Sequence, residues 1–302
     1  MTPENLPDMD SLWDFQDPSG SETRFRELAQ QPGTGEQPAY LACVLSQLAR
    51  ALGLQRRFTE AEAVLADAET AAARAVPAPA AGECAVHPFR VRLLLERGRV
   101  LNSSGDKTAS IPCFREAWNQ ALAAGEEFLA VDAAHMLGIV ETPDVALEWN
   151  HRAIQHAEQA GAPRARRWLG SLYNNTGWTH FDRGELGAAL EMFEQCLAFH
   201  QAAGRGRETR IAQWSIARVL RAQGDPAAAL SRQQALEAEW AASGGQDGYV
   251  YEELGECLLA LGRDEEARPW CARAHTLLSQ DAWLQANEPA RLTRLRMLGE
   301  TQ

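Results

Sequence analysis

The chain has 302 residues, with 53 Ala and 35 Leu against 11 Val and 5 Ile, a balance that favours helices and argues against a doubly wound sheet or a β-sandwich. Its formal charge of −12, from 29 basic and 41 acidic side chains, disfavours nonspecific binding to nucleic-acid phosphates or to an anionic membrane. Half of that excess lies in residues 1–22, which hold Glu4, Asp8, Asp10, Asp14, Asp17 and Glu22 and no Lys or Arg; the remainder is near balance, 35 acidic against 29 basic.

Residues 1–20 read as an acidic, extended arm. The start, MTPENLPDMDSLWDF, lacks the basic residues and apolar core of a secretory signal, and no apolar run is long enough to span a bilayer, so the expected compartment is the cytoplasm. Leu12, Trp13 and Phe15 are too apolar for a solvated tail; they either dock on the body of the protein or form a short motif presented to another one. SETRFRELAQQ from Ser21 has a capping-box-like start and predicts a lone helix within 21–36 that packs on the first repeat of the chain.

From residue 37 the sequence repeats. ERGRVLNSSGDKTASIPCFREA from Glu96, NTGWTHFDRGELGAALEMFEQC from Asn175, SIARVLRAQGDPAAALSRQQAL from Ser215 and ELGECLLALGRDEEARPWCARA from Glu253 share one spacing. A small residue (Gly98, Gly177, Ala217, Gly255) is followed seven positions on by a glycine (Gly105, Gly184, Gly224, Gly262). Five further comes another small residue (Ser110, Ala189, Ala229, Ala267), and seven beyond that Ala117, Cys196, Leu236 or Ala274. A copy from Gln47 keeps Ala49, Leu52, Ala61, Leu65 and Ala68 but has Arg56 at the glycine position. A copy from Ala133 uses Gly138 and reaches Ala146 after eight positions instead of twelve, so four residues are missing from its turn, where Thr142 and Pro143 suit a helix start.

Each spacing has a mechanical reason. The first small residue lets two antiparallel helices approach, the glycine ends the first helix in a left-handed cap, and the later pair lies two turns apart on the facing side of the second helix. The unit is a helical hairpin with a step near 40 residues. Six are expected, at about 37–75, 87–124, 126–160, 163–203, 205–242 and 245–280, with a Pro/Ala loop from Ala75 forming a surface excursion. QANEPARLTRLRMLGE predicts a capping helix within 281–302, begun by Asn287 and Pro289, with its arginines toward water and Leu292, Leu295 and Leu298 inward.

This pattern resembles the tetratricopeptide repeat over about residues 40–280. WLGSLYNNTGW and GYVYEELGE are also similar to stretches in a subset of bacterial tetratricopeptide proteins of undefined role. The resemblance implies an all-α, right-handed α-solenoid of about six antiparallel hairpins with capping helices at both ends, in one uninterrupted stack.

No phosphate loop, G-x-S-x-G elbow or H-E-x-x-H zinc motif occurs, so no catalytic residue and no cofactor is expected. Asp132 and His135, with Glu148 and His151, imitate the carboxylate-x-x-His pairs of dimetal bundles, but two further glutamates are wanting, and ordinary helix surface is the better reading. His156 and His200 read as solvated or satisfied side chains. The six cysteines, Cys43, Cys84, Cys113, Cys196, Cys257 and Cys271, are scattered without metal spacing and read as small buried apolar groups.

Function is therefore expected on the concave face, formed by the first helix of each hairpin, where such proteins take extended or helical peptides. The facing positions give Arg92 and Arg99, Asp132 and His135, Asn174 with its neighbour Asn175, Trp178 and Trp214, Arg218 and Arg221, and Tyr249, Glu252 and Glu256. The asparagines can bond a peptide backbone, the arginines a carboxylate, and the tryptophans serve as rigid anchors, unless those rings pack between hairpins. A protein or peptide ligand with an acidic or C-terminal carboxylate end near Arg218 and Arg221 and a basic end near Glu252 and Glu256 is complementary. The first expectation is a non-enzymatic scaffold. The alternative is a sensor similar to bacterial tetratricopeptide receptors for signalling peptides. Those usually carry an N-terminal output domain, for which about 36 residues before Tyr40 are too few, so a sensor of this kind acts through a separate effector or through Leu12, Trp13 and Phe15. A metal-dependent enzyme built on the short repeat is a distant third.

Overall fold

A computed structural model describes residue 7 and residues 9–75 and 87–300, and among these the protein is all-α. The loop expected after Ala75, with Cys84, lies outside the described residues. The chain has two compact units, Met1–Trp168 and Leu169–Gln302. At the division the second helix of the third hairpin does not turn directly into the next repeat. It is followed by a one-turn helix, Pro163–Arg166, that packs back on its own unit.

In the first unit, helix α1 (Pro18–Gln30) and the short α2 (Pro32–Gly35) precede three hairpins: α3 (Pro38–Leu54) with α4 (Phe58–Ala75), α5 (Pro88–Ser104) with α6 (Lys107–Ala124), and α7 (Glu127–Val140) with α8 (Pro143–Gln159). The one-turn helix is α9. In the second unit the hairpins are α10 (Leu169–Asp182) with α11 (Leu186–Ala202), α12 (Gly206–Ala222) with α13 (Pro226–Ala242), and α14 (Gly248–Ala260) with α15 (Asp264–Leu278). Two helices follow, α16 (Ala282–Asn287) and α17 (Pro289–Gly299), where the sequence reads as one; Glu288 leaves the helical conformation and Pro289 starts α17 afresh. The ends are covered by α1 on α3 and by α17 on α15.

One contact recurs along the hairpins. The second helix drives a buried side chain against the small residue of the first: Phe114 against Gly98, Phe193 against Gly177 and Cys271 against Gly255, each sixteen positions on, the register that the buried Leu65 holds to Ala49 and the buried Gln233 to Ala217. A Cβ added at Gly98 comes within 2.5 Å of the Phe114 ring, and one at Gly255 within 2.7 Å of the Cys271 sulfur. The short hairpin keeps the same contact. Its four missing residues are lost from the turn, before the buried side chain, so Asn150 meets Gly138 only twelve positions later. Helix packing, rather than turn length, sets the register.

The glycines after the first helices, Gly105, Gly184, Gly224 and Gly262, all have positive φ, and in the first hairpin Arg56 takes that conformation with φ 60°. A side chain there costs about 1–2 kcal/mol. Arg56→Gly is accordingly expected to raise stability by about 1 kcal/mol in urea melts; an unchanged midpoint counts against it.

The arm docks in part. Leu12 and Trp13 pack on the core formed by Phe25, Leu48 and Leu52, and Trp13 Nε1 donates to Gln47 Oε1 at 2.9 Å. Phe15 stacks on Trp13 at 4.9 Å yet stays 56% exposed. Helix α1 starts three residues before the predicted Ser21, capped by Asp17. Ser21, fully buried, ties down the arm instead: its Oγ accepts from Asp14 N at 2.8 Å.

Candidate functional site

The second unit presents an aromatic row on the first helices of its hairpins. Trp178 on α10 packs edge-on against Phe193 at 4.9 Å and Phe181 at 5.3 Å; Trp214 on α12 lies 5.7 Å from Trp178, and Tyr249 on α14 lies 6.1 Å from Trp214. The row is held by the Trp214 Nε1 donor on Tyr249 O at 3.1 Å. Both tryptophans are half-buried, so the sequence alternatives combine: one edge packs between hairpins and the rest stays accessible.

Arg218 covers this row. Its guanidinium carbon is 5.6 Å from the Trp178 ring, 5.4 Å from Trp214 and 5.7 Å from Phe181. It has no ion pair among the described residues, and its Nε is buried without an acceptor. Asn174 donates to Asn175 Oδ1 at 3.3 Å, while its own Oδ1 is buried without a donor.

The other residues expected on this face are committed within the chain. Arg221 binds the buried Glu253 at 2.5 and 3.1 Å. Glu252 is held by Arg291 and Glu256 by Arg294, so the arginines of α17, expected toward water, close over the acidic end. Carboxylates on α14 draw them in, since a guanidinium gains more from a bidentate partner than from solvent alone. The acidic end is thereby neutralised by the chain itself.

In the first unit Arg99, Asp132 and Glu96 form a buried triad. Arg99 bonds Asp132 and sits 2.7 Å from Glu96; the carboxylates are 4% and 2% exposed as residues. Burial pushes the Asp132 carboxyl up, but Arg99, Arg50 and His135 outweigh it and hold it below its ordinary value. Burial likewise pulls the His135 imidazole down, and the Trp168 ring lies 4.8 Å away. Asp132 is thus an internal ion-pair partner, while Glu148 is exposed beside Arg152. Among the described residues no three His, Cys, Asp or Glu side chains gather as metal donors. Burial raises the thiols of Cys196 and Cys271 to about 11 and of Cys257 to about 12, far from the range of a reactive thiolate.

Sequence reasoning missed Arg50, Gln47 and Glu96. Arg50 occupies in the first hairpin the position that Arg99, Trp178, Arg218 and Glu256 occupy in theirs, so the same register identifies it. Gln47, Glu96 and Glu253 share another position, two residues before the small one. In two cases an arginine of the preceding hairpin reaches that carboxylate: Arg50 to Glu96 at 3.6 Å and Arg221 to Glu253.

Residues 169–203, the α10–α11 hairpin, match the tetratricopeptide repeat family. No curated protein matches the chain in sequence. Solved structures of similar fold include the apo form of RapI, at 9% identity over 96% of this chain and 79% of that one, with a TM-score of 0.74. The apo quorum sensor NprR from B. thuringiensis follows at 14% identity, 96% and 79% coverage and a TM-score of 0.63. NprR in complex with its cognate peptide NprX scores 0.52 at 14% identity, with 96% and 82% covered. BtubC from P. vanneervenii is similar at 17% identity, 80% and 94% coverage and 0.59. At these identities the likeness speaks for the fold. The α10–α11 hairpin carries the family's pattern, five other hairpins repeat its helix–turn–helix order, and the fold is that of the tetratricopeptide-repeat solenoids it resembles.

Proposed function

We propose that the protein is a non-enzymatic, peptide-binding adaptor, and that the Trp178, Trp214 and Arg218 face of the second unit engages the ligand. The observation that carries this is Arg218: a cation without a carboxylate among the described residues, laid over two half-exposed tryptophans, with a buried Nε in want of an acceptor. A buried donor left unmet costs about 1–3 kcal/mol, which a ligand acceptor recovers. Asn174 Oδ1 asks for a donor such as a peptide N–H, and the rings offer flat apolar area. The ligand chemistry is a peptide with an acidic side chain or C-terminal carboxylate at Arg218. A basic end is no longer part of the reading, because Arg291 and Arg294 already occupy Glu252 and Glu256.

The similar fold of NprR, solved with its cognate peptide, favours a second reading in which the ligand is a signalling peptide and the response passes through another protein. Both readings predict that Trp178→Ala with Arg218→Ala weakens capture of an acidic peptide library at least tenfold against wild type. Equal capture by folded protein of both kinds sinks the assignment of this face.

A further inference from the structure

The first unit contains a cavity of about 320 Å³ that the proposed peptide face does not use. Trp13 and Phe15 from the docked arm and Phe128 and Trp168 from the third hairpin and the end of the unit line it, with the Arg164 guanidinium 3.9 Å from the centre of the Phe128 ring. Its floor carries Arg50, Arg92, Glu96 and Asp132. The volume is at the lower end of what small-ligand sites occupy, about 300–1,000 Å³, and suits a single ring with a short polar tail.

Three guanidiniums, Arg50, Arg92 and Arg164, line the cavity against two carboxylates, Glu96 and Asp132, and Arg99 adds a fourth cation on those same carboxylates. Glu96 Oε1 is 3.6 Å from Arg50 and 2.7 Å from Arg99, and Asp132 is bound by Arg99, so both carboxylates are paired with arginines, although Glu96 Oε2 is buried without a donor. Arg92 is left: half-buried, lining the cavity, and without a carboxylate among the described residues. Burial pulls the Arg50 guanidinium below its ordinary value, and the like charges of Arg99 and Arg92 add to the effect while Glu96 and Asp132 oppose it. An added anion relieves that crowding. Arg50 also stacks on both arm rings, 5.4 Å from Trp13 and 5.2 Å from Phe15, so the arm and the cationic floor form one constellation.

We infer that this cavity is a second ligand site, which binds a carboxylate attached to an aromatic ring. Arg92 takes the carboxylate, the ring lies between the arm's aromatics and Phe128 and Trp168, and the arm serves as a wall of the site. Two sources supply this chemistry, a free small aromatic acid and the C-terminal residue of a peptide ending in an aromatic side chain.

Calorimetric titration of the full chain separates them. The probes are 3-phenylpropanoate, N-acetyl-glycyl-L-phenylalanine and the C-terminal amides of both. Saturable binding of either acid, with its amide at least tenfold weaker, supports the site and names the source. The Arg92→Gln variant, checked for an unchanged thermal midpoint, is expected to bind the acid at least tenfold more weakly. Trp13→Ala is expected to lose at least threefold. Trp178→Ala with Arg218→Ala leaves this binding unchanged, which separates it from the peptide face. Absence of saturable binding by both acids overturns the inference, as does acid binding equal to that of the amides or unaltered in Arg92→Gln. Because the amide comparison uses wild-type protein, it stands even if Arg92→Gln fails to fold.

Discussion

Arg99→Met is expected to destabilise the first unit by about 3–5 kcal/mol, because it strips a shared partner from two buried carboxylates at once. Methionine keeps much of the side chain's length and volume, so the loss reports charge rather than a cavity. The pH dependence carries a sign that packing alone does not. In the native protein burial pushes Asp132 up, but Arg99 and then Arg50 prevail, and its carboxyl titrates below its ordinary value of 3.8. A depressed carboxyl contributes stability that is complete above its unfolded value and is lost only as the pH falls through the folded one. Without Arg99, burial meets only the weaker charges of Arg50 and His135, and the carboxyl is pushed up. Protonation then stabilises the variant as the pH falls from neutrality. The gap between wild type and variant should therefore be widest near pH 7.5 and narrow by pH 5 in urea melts. The double change Arg99→Met with Asp132→Leu should recover part of the loss, since Glu96 still faces Arg50 and Gln47. A gap that is constant with pH refutes the charge explanation.

Much of the fold is legible in the sequence because steric demands repeat. A glycine at a left-handed cap and a small residue under a neighbouring helix are needed whatever surrounds them, so Gly98, Gly105, Gly177 and Gly184 mark their hairpins without reference to the rest of the chain. Arg56 shows how far the logic reaches: the copy lacking the glycine still adopts its φ. The site is less legible for an electrostatic reason. The register shows which side chains share a face, and it does not show which charges find each other first. Arg221 and Arg218 are three residues apart on one helix, yet Glu253 captures the first and leaves the second over the tryptophans. Arg291 and Arg294 lie almost forty positions from the glutamates they bind. Such pairs depend on the seating of a terminal helix, which no local spacing encodes. The division after Trp168 is hidden for a similar reason, since the steps between small residues continue near 40 across it.

Gly177→Ala is expected to cost about 3 kcal/mol, at the upper end for an overpacked core, although the identical change at Gly187, in the first turn of α11, should be neutral or stabilise by less than about 1 kcal/mol through helix propensity. Nothing lies within 4 Å of a Cβ at Gly187, whereas one at Gly177 comes within 2.7 Å of the Phe193 ring. Phe193 cannot yield cheaply: it is fully buried, and Trp178 packs on it. Where the small residue is alanine, at Ala49 and Ala217, the buried side chain sixteen positions on is Leu65 or Gln233 and not a ring. Phe193→Leu should therefore rescue Gly177→Ala, with the double variant less destabilised than the sum of the two single changes by at least about 1 kcal/mol. The same displacement reaches the peptide face. Pushing Phe193 outward moves the edge on which Trp178 rests, and Trp178 is one of the rings beneath Arg218. Gly177→Ala should thus weaken peptide capture even at temperatures where the variant is fully folded, while Gly187→Ala should not. Urea melts measure the first effect and capture at about 10 °C the second. If Gly177→Ala stays within about 0.5 kcal/mol of wild type, the close approach of the two helices does not govern the hairpin.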